Sequence, residues 1–91
     1  MTYDITLSKS AQKVLKKWKE SNPQNFQKTT IILHELADHP RTGIGHPEPL
    51  KGGNEITWSR HITAHDRIIY DILDNIVTVN VVEVEGHYDD K

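Results

Sequence analysis

Glu48 stands between Pro47 and Pro49 near the middle of the 91-residue chain. Each proline restricts its own φ, and Pro49 also pushes Glu48 into the extended region, so the carboxylate is carried on stiff backbone. Stiff placement is what a general base needs. Taken alone, however, the tripeptide is better interpreted as a spacer between two structural elements.

Two further groups would complete an acid–base set with Glu48. Arg67 can neutralise phosphate charge, and His87, which is followed by Tyr88, can give a proton. The pair comes just after Gly86, which indicates a bend or bulge at the end of a strand. On residue types alone, chemistry on a phosphodiester is one possibility among several.

The six histidines give little support to a metal site. His61 and His65 are four residues apart, which brings two ligands together in a helix but not in the strand and turn predicted there. His34 and His39 lie at the end of a predicted helix, where a cation interacts well with the helix dipole. We therefore expect no metal and no cofactor.

Length and composition bound the class of protein. At 10.5 kDa and 35% hydrophobic residues, the chain is expected to form a single domain over residues 1–91. The absence of cysteine excludes disulfides, thiolate zinc sites and a cysteine nucleophile. No stretch approaches the roughly 18 apolar residues of a membrane helix, and no signal peptide is recognisable, so a soluble, cytoplasmic protein is expected.

Charge is unevenly distributed along the chain, whose formal net charge is -2. Residues 1–60 hold nine Lys and Arg against six Asp and Glu, whereas residues 61–91 hold two against seven. Residues 1–60 could therefore bind phosphate groups. Five lysines of the first predicted helix also suit an ordinary solvated face, which is the better interpretation of that feature alone. They are Lys9, Lys13, Lys16, Lys17 and Lys19.

Hydrophobic spacing predicts a short strand over residues 3–7 and then two helices. Ser8 or Ser10 caps the first helix, which ends near Glu20, and Asn22 caps the second, which ends near residue 39. The apolar positions of the two helices are Ala11, Val14, Leu15 and Trp18, then Phe26, Leu33, Leu36 and Ala37.

A loop over residues 41–54, with four glycines and two prolines, separates the helices from three strands predicted at 55–63, 67–73 and 76–85. Asp74-Asn75 suits a two-residue type I′ hairpin, in which Leu73 faces Ile76. That register sends Arg67 to a polar face. The opposite face holds six residues: Ile68, Tyr70, Ile72, Val77, Val79 and Val81. The apolar phase changes between Val81 and Val82, which indicates a kink.

The preceding hairpin, through residues 64–66, has two possible parities. An odd loop places Ile56, Trp58 and Ile62 in the core and Thr57, Ser59 and His61 on the polar face, whereas an even loop buries Ser59 and His61. The odd loop is favoured because each unpaired polar group sent inward costs about 1–3 kcal/mol. It directs Arg60 coreward, so Arg60 is expected to snorkel at the sheet edge.

Four motifs resemble the YoeB/Txe toxins of the RelE/ParE superfamily, in order and at family spacing. The resemblance implies an α+β fold in which two N-terminal helices pack on a small twisted, mainly antiparallel sheet. The motifs are Gly43-Ile44-Gly45-His46-Pro47-Glu48-Pro49-Leu50-Lys51, Trp58-Ser59-Arg60-His61-Ile62-Thr63, Arg67-Ile68-Ile69-Tyr70 and His87-Tyr88.

The resemblance implies a toxin of a type II toxin–antitoxin system that cuts mRNA in the ribosomal A site, that is, a ribosome-dependent endoribonuclease or mRNA interferase. By position, Glu48 is implied to be the general base for the 2′-hydroxyl and Arg67 the phosphate clamp. His87 is implied to be the general acid for the departing 5′-oxygen, and Tyr88 to position the RNA. No metal is needed, because the nucleophile is the substrate's own hydroxyl.

Lys51, Arg60 and His61 are expected to bind the substrate. Docking on the ribosome is expected to rely on the Lys-rich first helix together with Lys51, Arg60 and Arg67. His61 stands where the family usually has a second Arg, so this phosphate contact is weaker and depends on pH. The chain also continues past the usual terminal Tyr with residues 89–91, whose two carboxylates should raise the pKa of a neighbouring His and repel RNA.

The family also implies partners: the ribosome and mRNA, a cognate antitoxin of the YefM/Phd kind, operator DNA bound through the toxin–antitoxin complex, and a second copy in a homodimer. A non-nucleolytic alternative is open, either a ParE-like protein that blocks gyrase or a relative that binds only antitoxin and operator. Glu48 together with His87 favours the nuclease, because a pure binder has no chemical need for them.

Overall fold

The structure, a computed structural model, describes residues 2–50 and 56–86. Two helices pack on a five-stranded mixed sheet, which confirms the α+β class. The strand order is β1-β5-β4-β3-β2. The elements are β1 (Asp4–Leu7), α1 (Lys9–Ser21), α2 (Pro23–Asp38), β2 (Glu48–Pro49), β3 (Thr57–His61), β4 (Asp66–Leu73) and β5 (Thr78–Gly86).

Local sequence signals set the ends of both helices as predicted. Ser8 caps α1, its Oγ accepting a hydrogen bond from the amide of Ala11 at 3.0 Å. Asn22 caps α2 through its Oδ1, and Pro23 occupies the first helical position, where no donor is needed. His39 follows the last turn of α2 as its C-terminal cap.

The core lies between the helices and one face of the sheet. On α2 its members differ in part from the prediction, because Ile32 and Thr29 are fully buried while Phe26 and Leu33 are only partly so. The buried apolar residues are Ala11, Leu15, Trp18, Ile32, Leu36, Ile62, Ile68, Tyr70, Ile72, Val79, Val81 and Val84.

The connection between β4 and β5 differs from the predicted two-residue hairpin, which was wrong. Asp74–Ile76 forms a turn of 3-10 helix, and Val77 then adopts a left-handed conformation with φ 48°. Leu73 therefore pairs with Thr78 rather than Ile76, a displacement of two residues. Because side chains alternate with a period of two, this displacement keeps Ile68, Tyr70, Ile72, Val79 and Val81 on the predicted core face. The predicted place of Val77 on that face was wrong, because it lies in the turn and outside the core.

Val82 is an extra residue in β5. Tyr70 pairs with Val81 and Ile69 with Glu83, so Val82 forms a bulge and is exposed. The predicted kink at this point is confirmed. Beyond the bulge Val84 is buried in the core. The alternation of β5 is therefore shifted by one residue after Val81.

The hairpin between β3 and β4 has the odd parity that burial cost favoured. His61 pairs with Arg67, leaving five residues between them rather than three, and both side chains are exposed. Ile62 is fully buried, as expected, and Trp58 packs against the core. Ile56 is 39% exposed, so its predicted place in the core was wrong.

β1 lies beside β5 in parallel, a pairing that the sequence did not indicate. Its start is tied to the β4–β5 turn through Asp74, which accepts a hydrogen bond from the Tyr3 hydroxyl at 2.5 Å and forms an ion pair with Arg41 at 2.6 Å. The pKa of Asp74 lies below its ordinary value, mainly because of the hydrogen bond from Arg41 and to a smaller extent because of the one from Tyr3.

Asp74→Asn is expected to make stability less dependent on pH at the acid end. A carboxyl whose pKa is lowered in the folded state stabilises the protein above its unfolded pKa, and that stabilisation is lost as the pH falls through the folded value. The urea midpoint of the variant should therefore lie below that of the wild type at pH 7, and the difference should shrink as the pH falls below the ordinary pKa of an aspartate and through the lowered folded-state pKa of Asp74. A difference that is undiminished at acid pH would contradict this assignment.

Among the described residues, none of the helices is both long and apolar enough to cross a membrane.

Candidate active site

Glu48 lies on the open face of the sheet, opposite the helices. It pairs with Ser59 of β3, which pairs with Ile69 of β4, which in turn pairs with Glu83 of β5. Paired residues point to the same side of a sheet, so these four form one row across it. Ile68, the neighbour of Ile69 along β4, is fully buried in the core, which identifies the row as lying on the outer face.

His61 and Arg67 form the next row on the same face. They are a directly opposed pair, and His61 lies two residues along β3 from Ser59. Arg67 is exposed and points away from the core, as predicted. It is diagonal to Glu48, about 10 Å away across the strands and about 7 Å along them.

The final strand ends beside these groups. Arg67 pairs with Glu85, and Gly86 pairs with Asp66 at the beginning of β4. The chain therefore leaves β5 next to Arg67. The predicted site residues His87, Tyr88 and Lys51 lie outside the described residues.

Glu48 is held from two directions by main-chain bonds. Ahead of it, the Gly45 carbonyl accepts a hydrogen bond from the His61 amide at 2.7 Å, and after it the Leu50 amide donates to the Thr57 carbonyl at 2.9 Å. Gly45 has φ 84°, and a Cβ there would lie 2.5 Å from the His61 carbonyl oxygen. This close approach of loop and strand requires glycine.

Arg60 is the main departure from the predicted site. Its side chain is 0% exposed, so the expected snorkelling was wrong, and the guanidinium is not available at the surface for substrate contact. Nη1 forms an ion pair with Glu35 of α2 at 2.5 Å, and Nε donates to the Tyr70 hydroxyl at 3.1 Å. Burial raises the pKa of Tyr70, and the neighbouring Arg60 acts in the opposite direction.

The other donors of Arg60 reach the loop that precedes Glu48. Nη2 donates to the carbonyl oxygens of His39 at 2.5 Å and Thr42 at 2.8 Å, and Nη1 also donates to that of Ile44 at 3.4 Å. A planar guanidinium with five donors suits such a set of acceptors. One buried side chain therefore binds three carbonyls of a single loop.

Glu35 was not among the residues that the sequence singled out. Its Oε1 accepts from Arg60 and also from the Ile44 amide at 2.9 Å, and it lies so close to Gly43 that a Cβ at this glycine would overlap the carboxylate. Its position beside Leu36 on the buried side of α2 was the available signal, because a carboxylate there can partner a coreward cation.

In the parts of the chain that the structure describes, 2–50 and 56–86, no three His, Asp or Glu side chains lie close enough together to hold a metal ion.

Comparison with known proteins places this chain in a family. The model of the family described as "YoeB-like toxin of bacterial type II toxin-antitoxin system" matches residues 7–88. Among curated relatives, Toxin YoeB of Streptomyces coelicolor is 32% identical over 71 residues, which cover 78% of this chain and 82% of that protein.

Solved structures agree with this placement. A YoeB/ParE toxin from Agrobacterium tumefaciens superposes with a TM-score of 0.84 at 27% identity, covering 93% of this chain and 99% of that one. The YoeB–YefM complex from Staphylococcus aureus contains a chain that superposes with a TM-score of 0.79 at 27% identity, covering 97% of this chain and 100% of that one. The chain therefore belongs to the YoeB-like toxins of bacterial type II toxin–antitoxin systems.

Proposed function

We propose that this toxin is a ribosome-dependent endoribonuclease that cleaves mRNA in the ribosomal A site. The observation that carries the proposal is the diagonal placement of Glu48 and Arg67 on one exposed face of the sheet. A carboxylate and a guanidinium at this separation suit the two ends of one reaction, proton removal and stabilisation of phosphate charge. The family membership supports the same assignment.

In the proposed reaction, Glu48 removes the proton from a ribose 2′-hydroxyl. The freed O2′ attacks the adjacent phosphorus, and the bond from phosphorus to O5′ breaks. Arg67 stabilises the additional negative charge on the phosphate oxygens in the transition state. The products are a 2′,3′-cyclic phosphate and a free 5′-hydroxyl.

The departing O5′ needs a proton, and we assign this role to His87, with Tyr88 as the residue that positions the RNA. Support comes from the sequence motif and from the end of β5 beside Arg67. The proposed route is metal-independent, since the substrate supplies the nucleophile and Arg67 supplies the positive charge. Each step therefore uses a side chain of this protein or an atom of the RNA.

Docking on the ribosome is assigned to basic side chains outside the reacting centre. The five lysines of α1 are all exposed, and an exposed row of positive charge is attracted to ribosomal RNA. His61, opposite Arg67, supplies a weaker phosphate contact than an arginine would. Lys51 is assigned to the same contact from its sequence position. A cytoplasmic location follows from this partner.

A further partner is an antitoxin. The related Staphylococcus aureus toxin is found in a complex with YefM, and another structure of that protein is a dimer. We propose that this toxin likewise binds a YefM/Phd-like antitoxin, which covers the open face holding Glu48 and Arg67. We further propose that it forms a homodimer and binds operator DNA through the antitoxin complex.

Arg67→Gln tests the proposed phosphate clamp, with Arg41→Gln as a matched control. Both arginines are exposed, but Arg41 pairs with Asp74 away from the open face of the sheet. In a reconstituted translation reaction, Arg67→Gln should lower the rate of mRNA cleavage about 10²- to 10³-fold. Arg41→Gln should retain the wild-type rate within about threefold, because its loss removes only a surface ion pair.

Equal loss in both variants would contradict a specific role for Arg67. Intact mRNA with the wild type itself would instead favour the non-nucleolytic alternative, in which the protein acts by binding gyrase or only antitoxin and operator.

A further inference from the structure

Arg60 donates all of its side-chain hydrogen bonds inside the protein. The acceptors belong to α2, to β4 and to the loop that follows α2. Its loop partners are the carbonyls of His39, Thr42 and Ile44, and a single loop thus receives three bonds from one side chain. A buried ion pair is costly to retain for stability alone, and replacing both of its members by apolar side chains of similar volume is often neutral or stabilising. The arrangement therefore calls for a reason beyond packing.

The anchored loop leads directly to Glu48. Ile44, the last of the three carbonyl partners, is followed by Gly45, whose carbonyl binds the amide of His61, the neighbour of Arg60. Adjacent residues of β3 thus hold successive residues of the loop, one by its side chain and the other by its main chain. Glu48 follows four residues after Ile44.

β2 cannot hold Glu48 in place by itself. It is a two-residue strand at the edge of the sheet, with only two pairs to β3, Glu48 with Ser59 and Pro49 with Trp58. Proline has no amide to donate, which further reduces its bonding. Strands this short are not stable on their own. Positioning of Glu48 must come from the segments on either side of it.

We propose that Arg60 and Glu35 are positioning residues for Glu48, an inference that rests on the proposed nuclease function. Arg60 holds the carbonyls of the loop, and Glu35 holds both Arg60 and the Ile44 amide, so together they fix the path of residues 39–45. Neither side chain touches the substrate. Their effect is to keep the Glu48 carboxylate where it can reach the 2′-hydroxyl.

The test is steady-state cleavage of mRNA on ribosomes by Arg60→Lys and Glu35→Gln. Lysine keeps the charge but lacks the fork of donors, and glutamine keeps the shape but lacks the charge. Each variant should lower kcat about 10- to 100-fold and leave KM nearly unchanged, because the surface that docks on the ribosome is intact.

A general loss of protein stability must be distinguished from displacement of the Glu48 carboxylate. Ile72→Val and Ile72→Ala lower stability from a core position on β4 that is remote in the chain from this loop. We expect Ile72→Val to be more stable, and Ile72→Ala less stable, than the two test variants, so together they serve as controls for lost stability. At a temperature where all are folded, the Ile72 variants should cleave at the wild-type rate.

Amide hydrogen exchange supplies a readout that is independent of activity. The amides of Ile44 and His61 should exchange faster in Arg60→Lys and Glu35→Gln, while amides in the pairing of β4 with β5 keep their protection. A kcat equal to that of an Ile72 variant of the same stability, or unchanged exchange at Ile44, would overturn the inference. An inactive wild type would overturn the proposed nuclease function instead, and with it the reaction that this positioning serves.

Discussion

Glu48→Gln is expected to lower the rate of ribosome-dependent mRNA cleavage about 10²- to 10⁴-fold, the contribution that a positioned general base makes. Glutamine keeps the size of the side chain and its hydrogen-bonding oxygen but cannot take up the proton of the 2′-hydroxyl. Because Glu48 is exposed, the change should leave the free energy of unfolding within about 0.5 kcal/mol of the wild type. The rate is measured in a single-turnover reaction on programmed ribosomes, and stability by urea denaturation.

Glu83→Gln is the matched control for this prediction. Glu83 lies in the same row of the open face but three strands away from Glu48, so its loss removes an equal charge without the proposed base. We expect cleavage at close to the wild-type rate. A Glu48→Gln variant that cleaves as fast as Glu83→Gln would remove Glu48 from the proposed mechanism.

Arg60→Met is expected to destabilise the protein by about 3–5 kcal/mol. Methionine fills part of the space but leaves the carbonyls of His39 and Thr42, and the carboxylate of Glu35, without their buried donor. A small domain has only about 5–15 kcal/mol of stability, so this is a large part of the total. Urea denaturation at pH 7 measures the loss.

Arg41→Met provides the comparison, because it also removes an Arg–carboxylate pair. The Arg41 side chain is 42% exposed and that of its partner Asp74 is 56% exposed. Solvent screens such a pair, and its loss should cost no more than about 1 kcal/mol. Equal destabilisation in the two variants would show that burial of Arg60 contributes nothing beyond an ordinary surface ion pair.

Sequence was a good guide to structure wherever a feature depends on neighbouring residues. The caps at Ser8 and Asn22 and the proline at the start of α2 act within one turn of helix, so both helix boundaries were predictable. The faces of β4, and of β5 as far as Val81, were predictable as well, because alternation survives any register displacement of two residues.

The β4–β5 turn was not predictable, because tertiary contacts outweigh local preference there. Val77 adopts a left-handed conformation that β-branched residues rarely take, and Asp74 is bound by Tyr3 and Arg41 from distant parts of the chain. The local preference of an Asp-Asn dipeptide for a tight hairpin does not decide the turn here.

Arg60 illustrates the same limit within the site. The parity of the β3–β4 hairpin predicted that Arg60 points toward the core. Its complete burial, however, depends on the ion pair with Glu35, which lies 25 residues away in sequence. Because the sequence did not reveal this ion pair, full burial of the guanidinium was judged too costly, and a position at the sheet edge was predicted instead. Placement of His61 and Arg67 on one face followed from the predicted hairpin, but Glu48 was expected in a loop, and its place in β2, paired with Ser59 of β3, was not predicted. The roles of these residues stay predictions.

The most direct test of the proposed function is primer extension on an mRNA incubated with purified toxin, with and without translating ribosomes. We expect cuts within the codon in the ribosomal A site, present only when ribosomes translate the mRNA and absent with Glu48→Gln. Cuts that appear on free mRNA, or that persist in Glu48→Gln, would contradict the proposed ribosome-dependent mechanism with Glu48 as its base.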